Sequence, residues 1–358
     1  MNLQTNNIYQ SDIMQASNTA LPWEQLNGKR FLISGAAGMI ASIIIEILMH
    51  RNKAIEQDSQ KVHITAISRS RQKAYERFAP YWDTDEFTWF SHDINTPLPE
   101  LGMFDYILHA ASNTHPRAYA ADPIGTITAN VQGTYNLLDY ASNHHCKRFF
   151  FFSSVEMYGE NKNDADKFSE DYLGYIDCNT TSAGYCESKR LGESLCNAFA
   201  SQKGQDFIIG RFSRVYGPTM SPEDSKAVAQ FIKKAAQGED IILKSEGNQL
   251  YSYTYAVDAA AAALYLLLKG ESKSAVNIAD SASDIRLKDL AALLAKETGT
   301  KVVFELPDAA EQAGYSTATK AVLDTEKIER LGWKALTPIE QGLRKTVQIL
   351  KASMHKEE

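Results

Sequence analysis

An α/β protein is predicted, with a doubly wound, mostly parallel sheet followed by a smaller, mixed C-terminal domain. Three observations lead there. Apolar strand-like runs alternate with helical stretches up to residue 212, the pattern of successive βαβ units. One of these runs, "RFFFFSS" (148–154), is apolar through four consecutive phenylalanines, as in a strand covered on both faces. The length, 358 residues, exceeds what a single core usually fills, so two closely joined domains are expected.

The elements follow in order. Residues 1–28 are polar without a sustained period and read as an N-terminal extension, with Trp23 and Leu26 of "LPWEQLNGK" packing onto the domain. Strands are expected at "RFLISG" (30–35), "VHITAIS" (62–68), "YILHAAS" (106–112), "RFFFFSS" (148–154) and "DFIIGRF" (206–212). Between them lie the helical "GTITANVQGTYNLLDYASNH" and "GYCESKRLGESLCNAFASQ". The first domain is therefore 29–212. Over 213–358 the pattern loosens, with helices expected at "AVAQFIKKAAQGE", "AVDAAAAALYLLLKG", "IRLKDLAALLAKETG" and near 338–352.

Composition excludes several classes. A formal net charge of −7 argues against a nucleic-acid surface. The most apolar helix, "MIASIIIEILM" (39–49), carries Glu46 and is too short to span a bilayer. No charged-then-apolar signal segment opens the chain. Cysteines 146, 178, 186 and 196 form no CxxC pair and no zinc-like spacing with histidine, so no metal site is expected. They read as free thiols of a reducing, cytoplasmic compartment.

"FLISGAAGMIAS" (31–42) sets Gly35, Gly38 and Ala41 between a strand and an apolar helix. Such a turn lets backbone approach a pyrophosphate, which the helix N-terminus then holds with N–H groups and its dipole. In this context the sheet is of the Rossmann type and the ligand a dinucleotide. A ribose-binding acid is expected at the end of the second strand, but that strand ends in Ser68, Arg69, Ser70 and Arg71. The acids of "EQDSQ" precede the strand and read as solvated. Arg69 is able to meet a 2′-phosphate, which would make the cofactor NADP; alternatively it stacks on adenine or faces water, and NAD is bound. Asp93 in "SHDIN" is placed to accept from the adenine amino group. His109 reads as a positioned structural histidine.

"YCESK" puts Tyr185 and Lys189 four apart, on one face of a helix. A nearby ammonium stabilises phenolate, so Tyr185 can take a proton from a sugar hydroxyl as hydride leaves the same carbon. Ser154, at a strand end, can hydrogen-bond that hydroxyl.

At these residues the sequence resembles the extended short-chain dehydrogenase/reductases that modify nucleotide sugars. The resemblance runs from about 29 to 350, carried in order by "GAAGMIA", "HAAS", Asn130 in "ANVQGT", "SSVEMYG", "YCESK" and "RFSRVYGP". It implies a nucleotide-sugar substrate, a transient keto-sugar, Tyr185 as base, Lys189 as its electrostatic partner, and Ser154 as third member. Cofactor contacts are expected from Gly35, Gly38, Met39 and Ile40; from Arg69, Asp93 and Ile94; from Ala110, Ala111 and Ser112; and from Asn130, Ser153, Tyr185, Lys189 and Phe212. Substrate contacts are expected from Ser112, Glu156, Arg214, Lys226 and Tyr251. A homodimer packed through the helices around 126–143 and 184–201 is implied as well, with no membrane and no nucleic-acid partner.

The departures narrow the chemistry. Where the sugar dehydratases carry Asp-Glu after the serine or threonine, this chain has Val155-Glu156, and valine cannot donate the proton that water elimination needs. The UDP-glucuronate decarboxylases keep only the glutamate, and "SSVEMYGE" and "GPTMSPEDSKAVAQFI" are most similar to theirs. Glu156 is therefore expected to be catalytic at the 5-carbon, as proton shuttle or orienting group, the alternative being that it only caps a local turn. Tyr251 replaces the diphosphate-gripping arginine of the "RxFxYVxD" stretch, and Arg214 replaces the asparagine before "xYGP". Either charge has moved from one loop to the other, or the substrate is not a standard nucleoside diphosphate sugar. Lys226 stands where the decarboxylases have arginine, keeping charge without the bidentate fork. Decarboxylase, epimerase and dehydratase share this frame. A non-catalytic dinucleotide sensor and a net NADP-dependent reductase are the rivals, and cofactor retention on purification separates them.

Overall fold

The computed structural model describes residues 3–114, 116–305 and 319–354. Seven parallel strands form the main sheet: β1 (Arg30–Ser34), β2 (His63–Ser68), β3 (Phe87–Ser91), β4 (Tyr106–His109), β5 (Arg148–Ser154), β6 (Phe207–Phe212) and β10 (Ser274–Ile278). Their order in space is β3-β2-β1-β4-β5-β6-β10. The order reverses between β1 and β4, the switch point at whose carboxyl side ligands of such sheets bind.

Among the described residues, this half carries the helices α1 (Asn7–Ser17), α2 (Met39–Asn52), α3 (Arg71–Phe78), α4 (Pro116–Ala121), α5 (Pro123–Asn143) and α6 (Ala183–Lys203). The four phenylalanines of β5 are buried from both sides. Phe152 stacks on Phe212 at 5.1 Å between centroids, while on the other face α6 closes on Phe151 through Gly192, where an added Cβ would lie 2.4 Å from the ring. Only glycine admits that approach, and it brings Lys189, one turn earlier on α6, close to the sheet.

The second half carries α7 (Ala227–Gln237), α8 (Ala256–Lys269), α9 (Leu287–Thr298), α10 (Glu326–Arg330) and α11 (Ile339–Met354). Its central strand β9 (Leu250–Tyr255) pairs with β7 (Arg214–Tyr216) and β13 (Lys320–Ala321) in parallel, and with β11 (Asp284–Arg286) antiparallel. A separate pair joins β8 (Ile241–Leu243) to β12 (Val302–Phe304). Residues 256–278 return to the large sheet: α8 is buried along most of its length, and β10 lies beside β6.

The N-terminal segment is more ordered than its polar composition suggests. Asn6 caps α1 by accepting from the N–H groups of Ile8 and Tyr9. Tyr9, Ile13 and Ala16 are buried in the core shared with α2 and α8. The spacing of those three residues is helical, and it is the signal that a composition-level reading passes over. Trp23 and Leu26 are buried, as expected.

Candidate active site

The site gathers at the carboxyl ends of β1, β4, β5 and β6. At β1 the chain turns through Gly35 with φ of +65°, a conformation glycine adopts without penalty. A Cβ there would come within 2.6 Å of the backbone of Ala111, just past β4. Gly38 is the N-cap of α2 and brings no side-chain cap, so the helix offers its first N–H groups to a ligand. Ala41 is buried and lets α2 close on the sheet. Met39 and Ile40 are half-buried beside the turn. These features fit a dinucleotide's pyrophosphate.

Further along the edge, Arg69 is exposed just after β2, before Ser70, the N-cap of α3. Asp93 is exposed and accepts from the Asn95 N–H at 3.0 Å. Ile94 is buried against Gly133 of α5. Ala110, Ala111 and Ser112 are half-buried past β4, with the Ser112 hydroxyl donating to the Asn113 carbonyl. His109 is wholly buried, its Nδ1 2.8 Å from Ser34 Oγ and its Nε2 without a partner. Burial pulls its pKa down to about 3, with Lys189 adding to the effect. It is thus a neutral, positioned histidine, the role its place in the sequence indicates.

Asn130 is fully buried, donates to Ser188 Oγ at 2.9 Å and has an unpartnered Oδ1. Buried polar atoms are rarely left so, and this one fits a donor from a bound group. Phe212 ends β6 beside Ser154 in register. The Ser153 hydroxyl donates to Glu193 at 2.5 Å. Glu193 is gripped by both edge nitrogens of Arg211, which also reaches Tyr158. That serine's hydroxyl is committed to a buried network, so only its backbone remains for a cofactor.

Ser154, Tyr185 and Lys189 come together. Ser154, at the end of β5, lies beside the Tyr185 phenol. Burial drives that phenol well above its ordinary pKa, the nearby Ser154 hydroxyl pulls it back, and Glu156 pushes it up. Lys189 is buried, donates to the Phe152 carbonyl at 2.8 Å and lies 5.9 Å from the Tyr185 ring centroid. Burial lowers its pKa to about 7, opposed by Glu193. Desolvation thus works against phenolate and ammonium alike, opposed by Ser154 at Tyr185 and by Glu193 at Lys189.

On the far side of Ser154, its hydroxyl accepts from the Glu156 N–H at 3.2 Å, fixing the short turn Val155–Tyr158. Val155 turns into the core and Glu156 turns out of it. The Glu156 carboxylate lies 3.0 Å from Arg214 Nη2. β7 runs beside β9 with Arg214 opposite Tyr253, so the guanidinium reaches Tyr251 two residues away on the same face. It lies 3.9 Å from that ring's centroid. Burial disfavours the Arg214 charge, but Glu156 and the surrounding tyrosines outweigh it and raise its pKa. Lys226 caps α7 and pairs instead with Asp224 at 3.4 Å.

Sequence reasoning missed Tyr119. Its ring stacks on Tyr185 at 5.4 Å with 18° between planes, and it also faces Glu156 and Arg214. No short motif marks it, because α4 joins the site only through tertiary packing.

Comparison with known proteins follows the same lines. The model of the NAD dependent epimerase/dehydratase family matches residues 31–279. UDP-glucuronic acid decarboxylase 1 of Xenopus tropicalis is 28% identical over 327 residues, covering 91% of this chain and 73% of that protein. UDP-glucuronic acid decarboxylase 5 of Arabidopsis thaliana is 29% identical, covering 88% and 87%. Among solved structures, UDP-glucose 4-epimerase of Thermotoga maritima superposes with a TM-score of 0.76 at 21% identity, covering 91% of this chain and 99% of that one. The dTDP-glucose 4,6-dehydratase of Streptomyces venezuelae, with NAD bound, gives 0.76 at 23%, covering 91% and 98%. The chain belongs to the NAD dependent epimerase/dehydratase family and is an enzyme of that family with NAD as cofactor.

Proposed function

We propose that this family member decarboxylates a nucleoside diphosphate uronate by way of a transient 4-keto sugar. NAD, which the Gly35–Gly38 turn and the N-terminus of α2 would hold, would supply a hydride acceptor for the sugar's C4 and a donor for its return. Tyr185 accepts the C4 hydroxyl proton, helped by the Lys189 charge, and Ser154 orients that hydroxyl. A C4 ketone turns the C5 carboxylate into a β-keto acid, which loses carbon dioxide without an acid to push a leaving group. The C5 carbon then needs one proton, and Glu156 is the acid nearest the Ser154–Tyr185 pair along the same turn.

The observation that carries this reading is the pairing of a buried Val155 with an outward Glu156 held by Arg214. Dehydration needs a donor for the departing hydroxyl, and valine supplies none. The names of the relatives from Xenopus tropicalis and Arabidopsis thaliana support it. Nucleotide-uronate decarboxylation predicts that, in a panel of nucleotide sugars followed by mass, UDP-glucuronate loses carbon dioxide with no net consumption of NAD. Loss of water, or an unchanged mass, overturns it.

We further propose a cytoplasmic homodimer. Ile124, Ile127 and Tyr135 on α5 and Leu191 on α6 are large apolar side chains left exposed on neighbouring helices, which supports a face for a second copy. All four cysteines are free thiols, and no helix among the described residues is long and apolar enough to cross a membrane.

A further inference from the structure

Arg214 carries an unmet demand. Its Nε and Nη2 atoms are enclosed and have no hydrogen-bond acceptor among the described residues. Glu156 Oε1 lies 3.0 Å from Nη2, near enough for Coulomb attraction but out of line for a hydrogen bond. Nε and Nη2 form one edge of the guanidinium, the edge that takes both oxygens of a carboxylate side by side. The Tyr251 ring, 3.9 Å away, fixes the plane of that edge. Around Arg214 stand Glu156, Tyr251, Tyr253 and Tyr119: one acid and three phenols.

We infer that Arg214 reads a carboxylate on the sugar ring, and that this carboxylate takes the Nε/Nη2 edge by exchange with Glu156. The inference rests on the nucleotide-uronate reading above. It names the residue that recognises the acid and the group displaced. Two arguments carry it. The edge is enclosed, with the Glu156 carboxylate 3.0 Å from Nη2, so a ligand carboxylate that takes both nitrogens displaces Glu156 from this one. The anion must also belong to the reacting end of the sugar. The Glu156 N–H donates to Ser154 Oγ, and both residues act on the phenol of Tyr185, where C4 is oxidised. The diphosphate leaves the ring from C1, opposite C4, whereas the carboxylate hangs from C5, next to it. An anion-binding edge beside the Ser154–Tyr185 pair therefore suits the carboxylate better than the phosphates.

Exchange predicts opposite effects from the two partners of one ion pair. The test uses the NAD-loaded protein carrying Tyr185→Phe, which blocks turnover, and titrates UDP-glucuronate and UDP-glucose by calorimetry. With Arg214 intact, UDP-glucuronate binds more tightly. Arg214→Met should weaken UDP-glucuronate by about 10- to 100-fold, as for loss of hydrogen bonds to a charged group, and leave UDP-glucose unchanged. Arg214→Lys should restore part of the difference, since it keeps the charge without the fork. Glu156→Gln should tighten UDP-glucuronate alone, because the internal competitor has lost its charge. Absence of any preference for UDP-glucuronate with Arg214 intact overturns the uronate reading itself. A preference that survives Arg214→Met overturns the inference and leaves that reading standing. If Arg214→Met does not fold, the Glu156→Gln titration decides, and equal weakening of both ligands there overturns the exchange.

Discussion

Gly35 and Arg214 mark two sides of one site and work by opposite means. Gly35 acts by lacking a side chain: its φ of +65° and the backbone 2.6 Å from where a Cβ would stand make a surface of main-chain atoms. Arg214 acts through a long charged side chain that is stacked on Tyr251 and paired with Glu156. Backbone surfaces of the first kind suit a ligand that stays the same, such as a cofactor's pyrophosphate. Side-chain surfaces of the second kind can be replaced one residue at a time, which is where substrate preference changes. Tyr185 stands between the two, and altering it should separate them most sharply.

Tyr185→Phe removes only the ionisable oxygen from a ring that keeps its stacking on Tyr119. Turnover should fall by about 10²–10⁴-fold, the usual worth of a positioned acid–base group, while NAD affinity stays near that of the unaltered protein. Product formation and NAD titration on one preparation check both halves. Undiminished turnover would remove Tyr185 from the mechanism.

Most of the fold, and the local elements from which a cofactor side is proposed, were legible in the sequence because each feature is local. The glycine turn, the phenylalanine strand and the four-residue spacing of Tyr185 and Lys189 are each contained within a dozen residues, and secondary structure presents them as a unit. The proposed substrate side is assembled from 119, 156, 214 and 251, which lie on α4, the turn after β5, β7 and β9. Only the strand register of β7 on β9 brings Arg214 to Tyr251, and no spacing rule contains that register. Ser153 shows the converse. Its place at a strand end suggested a cofactor contact, but the buried Glu193–Arg211 pair, from α6 and β6, takes its hydroxyl.

The front and back of α2 extend the comparison. Its N-terminus faces the site, while its buried side carries Glu46 against α1. Neither Glu46 carboxyl oxygen accepts a well-formed hydrogen bond, although the Tyr9 phenol lies alongside. Burial raises the Glu46 pKa from 4.5 to about 7, with Arg77 opposing. Below about pH 4.5 the group is mostly neutral whether folded or unfolded and adds no penalty for a buried charge. Above about pH 7 it is ionised in both states, and the folded chain bears the full penalty. Stability should therefore fall by about 3 kcal/mol as pH rises through that window, other groups held equal. Glu46→Gln should flatten this dependence in urea titrations at several pH values. An unchanged slope would mean that Glu46 is compensated within the fold.

Gly35→Ala probes the backbone surface directly. The positive φ and the approach of Ala111 should cost about 1–3 kcal/mol of stability, and NAD should bind less tightly to a turn that has shifted. Arg214→Met should spare NAD by comparison, since its side chain serves the other half. Equal loss of NAD in the two variants would erase the distinction between backbone and side-chain surfaces.

The smallest effect is expected at Arg69, an expected cofactor contact that depends on a charged side chain in the open. If its guanidinium met a 2′-phosphate, removing it should weaken NADP and spare NAD. Arg69 is exposed at the end of β2, where water and salt screen such a contact to within about 1 kcal/mol. In a family named for NAD, a ribose 2′-hydroxyl rather than a phosphate is the group to be met there. Arg69→Ala should accordingly change NAD affinity little and NADP affinity by no more than about fivefold, measured by titration at low and physiological salt. A loss confined to NADP and much larger than this, persisting at the higher salt, would mean that Arg69 closes over the phosphate on binding. The cofactor side would then carry one side-chain determinant of the kind otherwise kept to the substrate side.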